Sequence, residues 1–250
     1  MESIQFEVGA KAARLIGREN ITDVDGALIE LIKNAYDADA SCVCVWIDMP
    51  FPYVPTKPDL YRLQQVMTEE DRREALSFYE EKDDEGLVQK ENLNEEDAAR
   101  LRGIFSRYNK LIVADNGTGM SVSDVKTKWM YIGTSDKEVN YTSEKGRIKT
   151  GAKGIGRFAL DKLSVTTKMF TQHRGDDLIT WEIAWDQFDN SKLLNQVTAQ
   201  LGVGDEDYCQ TVGHLLKKNF PKAFGDKYSW DNGTTIFFSS PTTASKAVLN

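Results

Sequence analysis

The stretch ELIKNAYDADA (30–40) decides how this chain is read. It falls in a helix expected over about 23–39, with Thr22 and Asp23 available as N-caps. On a wheel at ~100° per residue, Val24, Ala27, Leu28, Leu31, Ile32 and Ala35 share one broad apolar face. Glu30, Asn34 and Asp37 fall together on another, at i, i+4 and i+7. A core-packed helix therefore presents a carboxylate and a carboxamide on adjacent turns. That pair suits metal-assisted hydrolysis: the Asn34 amide oxygen holds Mg²⁺ without adding charge, and Glu30 polarises a water one turn away. Taken alone, the stripe also fits a solvated face with an i,i+4 contact of ~0.2–0.5 kcal/mol.

Two glycine segments lie downstream. VADNGTGM (113–120) continues the apolar run of KLIVAD (110–115), a short buried strand that ends in a turn. A strand ending in Asp and then Gly-x-Gly exposes a carboxylate beside backbone that a flat ligand can approach. A carboxylate only accepts hydrogen bonds, so Asp115 suits an exocyclic amine such as adenine N6. A plain Asn-Gly turn is the alternative for this segment. GAKGIGRF (151–158) places Gly151, Gly154 and Gly156 before a helix expected over about 155–162. Glycine-rich backbone entering a helix N-terminus is a ready anion site. No Gly-Lys-Ser/Thr closes it as in a P-loop, and it does not directly follow an expected strand as a dinucleotide fingerprint does. Lys137, Lys145, Arg147, Lys149, Lys153 and Arg157 concentrate positive charge around it, which suits a polyphosphate. A solvated loop with scattered lysines is the plainer account.

The rest of the chain sets limits. It has 250 residues, 40% hydrophobic and 28% charged, and its length allows a substantial core. A net charge of −8 lacks the basic footprint of a nucleic-acid binder, without excluding a local basic patch. Cys42 and Cys44 sit two apart in an expected strand, 42–48, and share a face, which suits buried thiols better than a disulfide. With Cys209, His173 and His214 they make no convincing zinc set. This cysteine usage suits a reducing cytoplasm. The start, MESIQFEVGAKAARL, has no apolar signal region, and no apolar run approaches the ~20 residues of a membrane span. The expected location is cytoplasmic.

Outward from the motifs, Val8, Ala12, Leu15 and Ile16 predict a short amphipathic helix over 8–18. A proline-rich loop spans 50–58, and charged helices are expected at about 68–82 and 94–108. Their capping signatures are Thr68-Glu-Glu-Asp71 and Asn94-Glu-Glu-Asp97. Ser121 or Ser123 caps a helix running to about 131. Residues 133–153 read as a loop, strands are expected near 163–170, 178–185 and 234–239, and 186–229 is poorly patterned.

Taken together, the segments resemble the GHKL superfamily, the Bergerat-fold ATPases that include DNA gyrase B subunits, the large heat-shock chaperone, MutL and MORC proteins and sensor histidine kinases. E-x-x-x-N-A-x-D-A stands at Glu30–Ala38, D-x-G-x-G at Asp115–Gly119 and G-x-x-G-x-G at Gly151–Gly156, with Gly233-Thr234 as a weaker fourth signal. The resemblance covers roughly 8–48, 110–170 and the last strand. IGTSDK (132–137) and GAKGIGRFAL sit nearest to the MutL, MORC and chaperone-like branch. The resemblance implies an α+β fold: a two-layer sandwich with a mixed, mostly antiparallel sheet covered on one face by helices. It implies that Glu30 is the general base and that Asn34 coordinates Mg²⁺. Asp115 binds the adenine amine with help from Thr234, and Gly117, Gly119 and Met120 shape the adenine pocket. Residues 120–156 form an ATP lid, whose glycine end, Gly151, Gly154, Ile155, Gly156, Arg157 and Phe158, wraps the phosphates. Asp37 belongs to the same nucleotide site, and Lys137 and Lys153 are further phosphate contacts.

The expected organisation is one ATP-binding domain over 1–250. Residues 50–108 read as a helical insertion, and the sequence as the N-terminal part of a longer protein whose next domain, or a partner, supplies a phosphate-sensing basic residue. The function expected is an Mg²⁺-dependent ATPase, slow in isolation. It works as a conformational switch that forms a homodimer when ATP binds, in a bacterial defence or DNA-maintenance setting, with DNA reached through other domains and no membrane involved. A histidine-kinase catalytic domain is the alternative. Glu30, the Asp37-Ala38 pair and the lack of an upstream phospho-accepting His argue against it. A nucleotide-sensing interaction module without turnover is the third reading.

Overall fold

The computed structural model describes residues 6–19, 23–132, 141–150, 160–224 and 227–241. They form an α+β arrangement around a six-stranded sheet. Its strands are β1 (Val43–Asp48), β4 (Lys110–Asp115), β5 (Ser164–Gln172), β6 (Leu178–Ala184), β7 (Gln200–Gly204) and β8 (Gly233–Pro241), in the order β1-β4-β8-β5-β6-β7. Every neighbouring pair is antiparallel. Among the described strands the mixed character expected from sequence is absent, because β8 inserts between β4 and β5. Its Phe237 stands opposite Ile112 on one side and Lys168 on the other.

Strand alternation sorts the side chains into two layers. Leu111, Val113, Met169, Ile179, Trp181, Ile183, Ile236 and Phe238 join a core with α1 (Ala10–Glu19), α2 (Val24–Asp37) and α7 (Leu160–Leu163). This is the helical layer the sequence leads one to expect. The other face also carries a helix at one end. Cys44, Ala114 and Leu178 pack with Tyr208, Val212 and Leu216 of α9 (Tyr208–Asn219) and with Trp230. Cys42 and Cys44 are therefore free thiols beneath α9, and burial pushes the Cys44 thiol up to about 12.

Helix α2 forms because Asp23 caps it, accepting from Gly26 N at 2.7 Å, and because Val24, Ala27 and Leu31 join the core against the sheet, with Ala35 also buried. Ile32, expected on the core face, is exposed, since the buried line is narrower than the apolar stripe. In α1 the face is rotated from expectation: Ala10 and Ala13 are buried while Leu15 is exposed. The small residues let α1 approach closely. Arg14 then reaches α7, its Nε donating to Asp161 Oδ2 at 2.7 Å and its Nη2 to Oδ1 at 2.5 Å.

Between β1 and β4 lie α3 (Leu60–Val66), α4 (Glu69–Leu76), a hairpin of β2 (Tyr79–Lys82) and β3 (Gly86–Gln89), and α5 (Glu95–Ser106). They have their own core, which includes Phe51, Leu63, Ala75, Leu101, Ile104 and Phe105. Thr68 and Asn94 cap α4 and α5, accepting from Asp71 N at 3.2 Å and Asp97 N at 2.8 Å. The first charged helix stops at Leu76 and not near 82. The chain there turns through Gly86, at φ 70°, and pairs with itself. Ser121 caps the helix after the glycine turn, α6 (Val122–Asp124), which runs into one π-helical turn, Val125–Trp129. The poorly patterned stretch holds α8 (Gln187–Asn190), β7 and α9. Strand β7 is exposed along its whole length, so it shows no alternation to read. No helix among the described residues is long and apolar enough to cross a membrane.

Candidate functional site

The site begins where β4 ends. Asp115 pairs with Thr234 at the start of β8, and Thr234 pairs with Thr171 on β5. The Asp115 side chain is buried, and its Oδ1 accepts from Gly117 N at 2.8 Å. Burial pushes its carboxyl up to about 7, against the backbone N–H bonds from Gly117 and Thr234 that favour the ionised form.

Both glycines of the turn after Asp115 have to be glycine. A Cβ on Gly117 would lie 2.6 Å from the Ala38 carbonyl oxygen and 2.9 Å from Asp115 Oδ1. Gly119 has φ 67°, and a Cβ there would lie 1.9 Å from the Gln172 carbonyl oxygen. The glycine turn therefore closes onto the end of α2, where Thr118 N donates to Ala38 O at 2.8 Å. That contact is what joins the helix of Glu30, Asn34 and Asp37 to the strand of Asp115.

On α2, Glu30 and Asn34 are half-buried, and Glu30 Oε2 lies 3.6 Å from Lys33 Nζ. Asp37 is buried, and its Oδ1 accepts from Thr150 N at 2.9 Å and from Thr150 Oγ1 at 3.2 Å. Met120 packs against the main core, and its N donates to Thr171 Oγ1 at 3.0 Å. Thr171 Oγ1 also lies 3.1 Å from Gly233 O and 3.0 Å from Thr234 Oγ1. Lys137, Gly151, Lys153, Gly154, Ile155, Gly156, Arg157 and Phe158 lie outside the described residues.

Thr171 is a site residue that sequence reasoning passed over. It links Met120 to Thr234, two of the residues expected on the adenine side. Tyr208 is another: its hydroxyl donates to Asp115 O at 2.8 Å and lies 2.7 Å from Thr235 Oγ1. It supports the end of β4 from the face opposite α2. Its signal was the i, i+4, i+8 spacing of Tyr208, Val212 and Leu216. Asn116 belongs to the scaffold, its Oδ1 accepting from Ser41 N at 2.9 Å and Cys42 N at 2.8 Å.

Two cations of the basic cluster have partners on the turn after α2. Lys145 and Arg147 belong to the positive cluster that the sequence gathers around the glycine segment. Lys145 Nζ donates to Asp39 O at 3.0 Å, and Arg147 Nη1 donates to Ala40 O at 2.9 Å and Tyr36 O at 3.2 Å. Of these carbonyls Tyr36 O belongs to the last turn of α2, where a helix C-terminus attracts cations, and the others lie in the turn that follows. Among the described residues no group of three or more His, Cys, Asp or Glu side chains is placed to hold a metal. A cation here would rest on Asn34 together with ligand oxygens and water, a habit of Mg²⁺.

Comparison with known proteins agrees with this geometry. A family model described as "Histidine kinase-, DNA gyrase B-, and HSP90-like ATPase" matches residues 88–210. The match takes in Asp115, the glycine turn and strands β5 to β7, and leaves out α2. The chain is also similar to a protein described as "Putative type II restriction enzyme HgiDII" from Herpetosiphon aurantiacus, with 39% identity over 54 residues. That stretch is 22% of this chain and 9% of the relative's length. A buried strand-end aspartate, a glycine turn locked to the end of a helix, an antiparallel sheet under a helical layer and the family match lead to one assignment: the chain belongs to the histidine kinase-, DNA gyrase B- and HSP90-like (GHKL) ATPase superfamily.

Proposed function

We propose that this chain binds ATP with Mg²⁺ and hydrolyses it, using the bound nucleotide as a conformational switch. The observation that carries the proposal is Asp115, a buried carboxylate at a strand end, tied through Gly117 and Thr118 to the helix of Glu30 and Asn34. Asp115 is an acceptor, so it selects a base with an exocyclic amine and rejects one with a carbonyl there. Thr234 lies beside it, with its hydroxyl in a chain that runs through Thr171 to Met120 N. The Asn34 amide oxygen is a neutral hard ligand. Mg²⁺ bound there would neutralise phosphate charge as the terminal phosphate leaves. Glu30, one turn back, takes the proton of the attacking water.

In this proposal the nucleotide-bound state pairs with a second copy of the chain, and a basic residue from a further domain or a partner completes the γ-phosphate site. Residues 50–108 act as an insertion that carries a partner surface. The name of the restriction-enzyme relative supports a DNA-directed setting, reached through other parts of the protein. The test is calorimetry with a non-hydrolysable ATP analogue and Mg²⁺, beside phosphate release from ATP. The wild-type chain should bind the analogue, and Asp115→Asn should not. No binding by the wild type, or equal binding of ATP and GTP, would sink the proposal.

A further inference from the structure

The turn that ends α2 contains a residue in an unusual conformation. Asp39 has φ 60°, in the left-handed region where side chains other than glycine are uncommon. It is 3% exposed, and both carboxylate oxygens are engaged from more than a hundred residues away. Oδ1 accepts from Ser143 Oγ at 2.6 Å, and Oδ2 accepts from Lys145 N at 3.0 Å. The Ser143 hydroxyl oxygen in turn accepts from Arg147 N at 2.9 Å, and Ser143 N donates to Arg147 O at 2.9 Å. Asp39 therefore seats a tight loop over 143–147. Arg147 lies across it, with its guanidinium 4.9 Å from the Tyr36 ring centre and its Nε 3.7 Å from Asp39 Oδ1. Burial works against the ionised carboxylate. The Ser143 and Lys145 hydrogen bonds and the Arg147 charge outweigh it and hold the carboxyl below its usual range.

Glycine would adopt this backbone with no steric cost. What aspartate adds is the carboxylate, and every contact of that carboxylate described above goes to the 141–150 segment. We propose that Asp39 is a positioning residue for the nucleotide site. It pins the 141–150 segment across the C-terminal end of α2, so that Thr150 reaches Asp37, one turn from Asn34. This rests on the ATP-binding proposal above. It assigns Lys145 and Arg147 to the anchor.

The test compares the full chain with Asp39→Gly, which relaxes the backbone while removing the anchor. Three quantities are read: the melting temperature, amide hydrogen exchange over 141–150 without nucleotide, and affinity for the Mg²⁺ complex of a non-hydrolysable ATP analogue. The glycine variant should melt no lower than wild type, exchange faster over 141–150, and bind the analogue about tenfold more weakly. Asp39→Asn, which keeps one acceptor, should lose less. Wild-type exchange or wild-type affinity in the glycine variant overturns the proposal. If that variant melts lower, Ser143→Ala decides: unchanged exchange and affinity there also overturn it. A wild-type chain that does not bind the analogue refutes the nucleotide site and with it the positioning role. The exchange data would then still show whether Asp39 holds the segment.

Discussion

Gly117 and Ala38 are in backbone contact: a methyl group on Gly117 would lie 2.6 Å from the Ala38 carbonyl oxygen. This approach joins the two halves of the candidate site, because Asp115 is two residues before Gly117 and Asn34 is four residues before Ala38. The neighbouring atoms are backbone and a buried carboxylate, so neither can swing away. Gly117→Ala is expected to cost about 1–3 kcal/mol in a denaturant titration. It should weaken nucleotide binding by more than that loss of stability alone explains.

The raised Asp115 carboxyl predicts a pH dependence with a definite sign. Its folded value, about 7, exceeds the ordinary 3.8. The native state therefore holds a proton that the unfolded state has lost between those values, and this group's contribution to stability falls as pH rises from about 4 to 7. Above pH 7 the cost levels off, on the order of 4 kcal/mol. Asp115→Asn has no such ionisation. Its stability relative to wild type, without nucleotide, should grow across that window and then stay constant.

Binding should show the opposite trend. An amine donor favours the ionised carboxylate, so wild-type affinity for the Mg²⁺–ATP analogue should rise towards pH 7 and flatten above it. Calorimetry at pH 6.5 in buffers of different ionisation heat should detect proton release. Flat affinity from pH 5.5 to 8 would remove Asp115 from the contact.

Glu30→Ala is expected to lower phosphate release by about 10²–10⁴-fold while leaving analogue affinity nearly unchanged. Equal hydrolysis by variant and wild type would exclude Glu30 as the base. The side chain packs no core, and its described ion contact is a 3.6 Å approach to Lys33 Nζ, so the variant should melt close to wild type.

Arg14 holds Asp161, whose side chain is 1% exposed, through two hydrogen bonds. Removing the guanidinium takes two hydrogen bonds and the facing positive charge from a buried carboxylate, and a further ion contact from Asp189, so Arg14→Ala should lose about 3–5 kcal/mol of stability. Arg14→Ala combined with Asp161→Asn should recover part of that loss, since the buried negative charge that faced the guanidinium is gone. Thermal unfolding of both variants at pH 7 checks this.

The positions of the main strands and of α2, α4 and α5 were legible from the sequence, because their signals are local. The apolar run in KLIVAD, the caps at Asp23, Thr68 and Asn94, and the order of Glu30–Ala38 before Asp115–Gly119 need no distant partner to be recognised. The pairing of Glu30 with Asn34 on one helix face follows from helical period alone. What tertiary structure decided is contact between distant segments. Only the folded chain shows β8 between β4 and β5, which makes the sheet fully antiparallel. Only the fold places Tyr208 under Asp115 and Thr171 between Met120 and Thr234, since a buried hydroxyl takes its role from what it meets. The charges of Lys145 and Arg147 were visible in the sequence, but their destination was not. A cation goes to whichever acceptors the fold brings near, and here these are Asp39, the Ala40 carbonyl just past α2 and the Tyr36 carbonyl in its last turn.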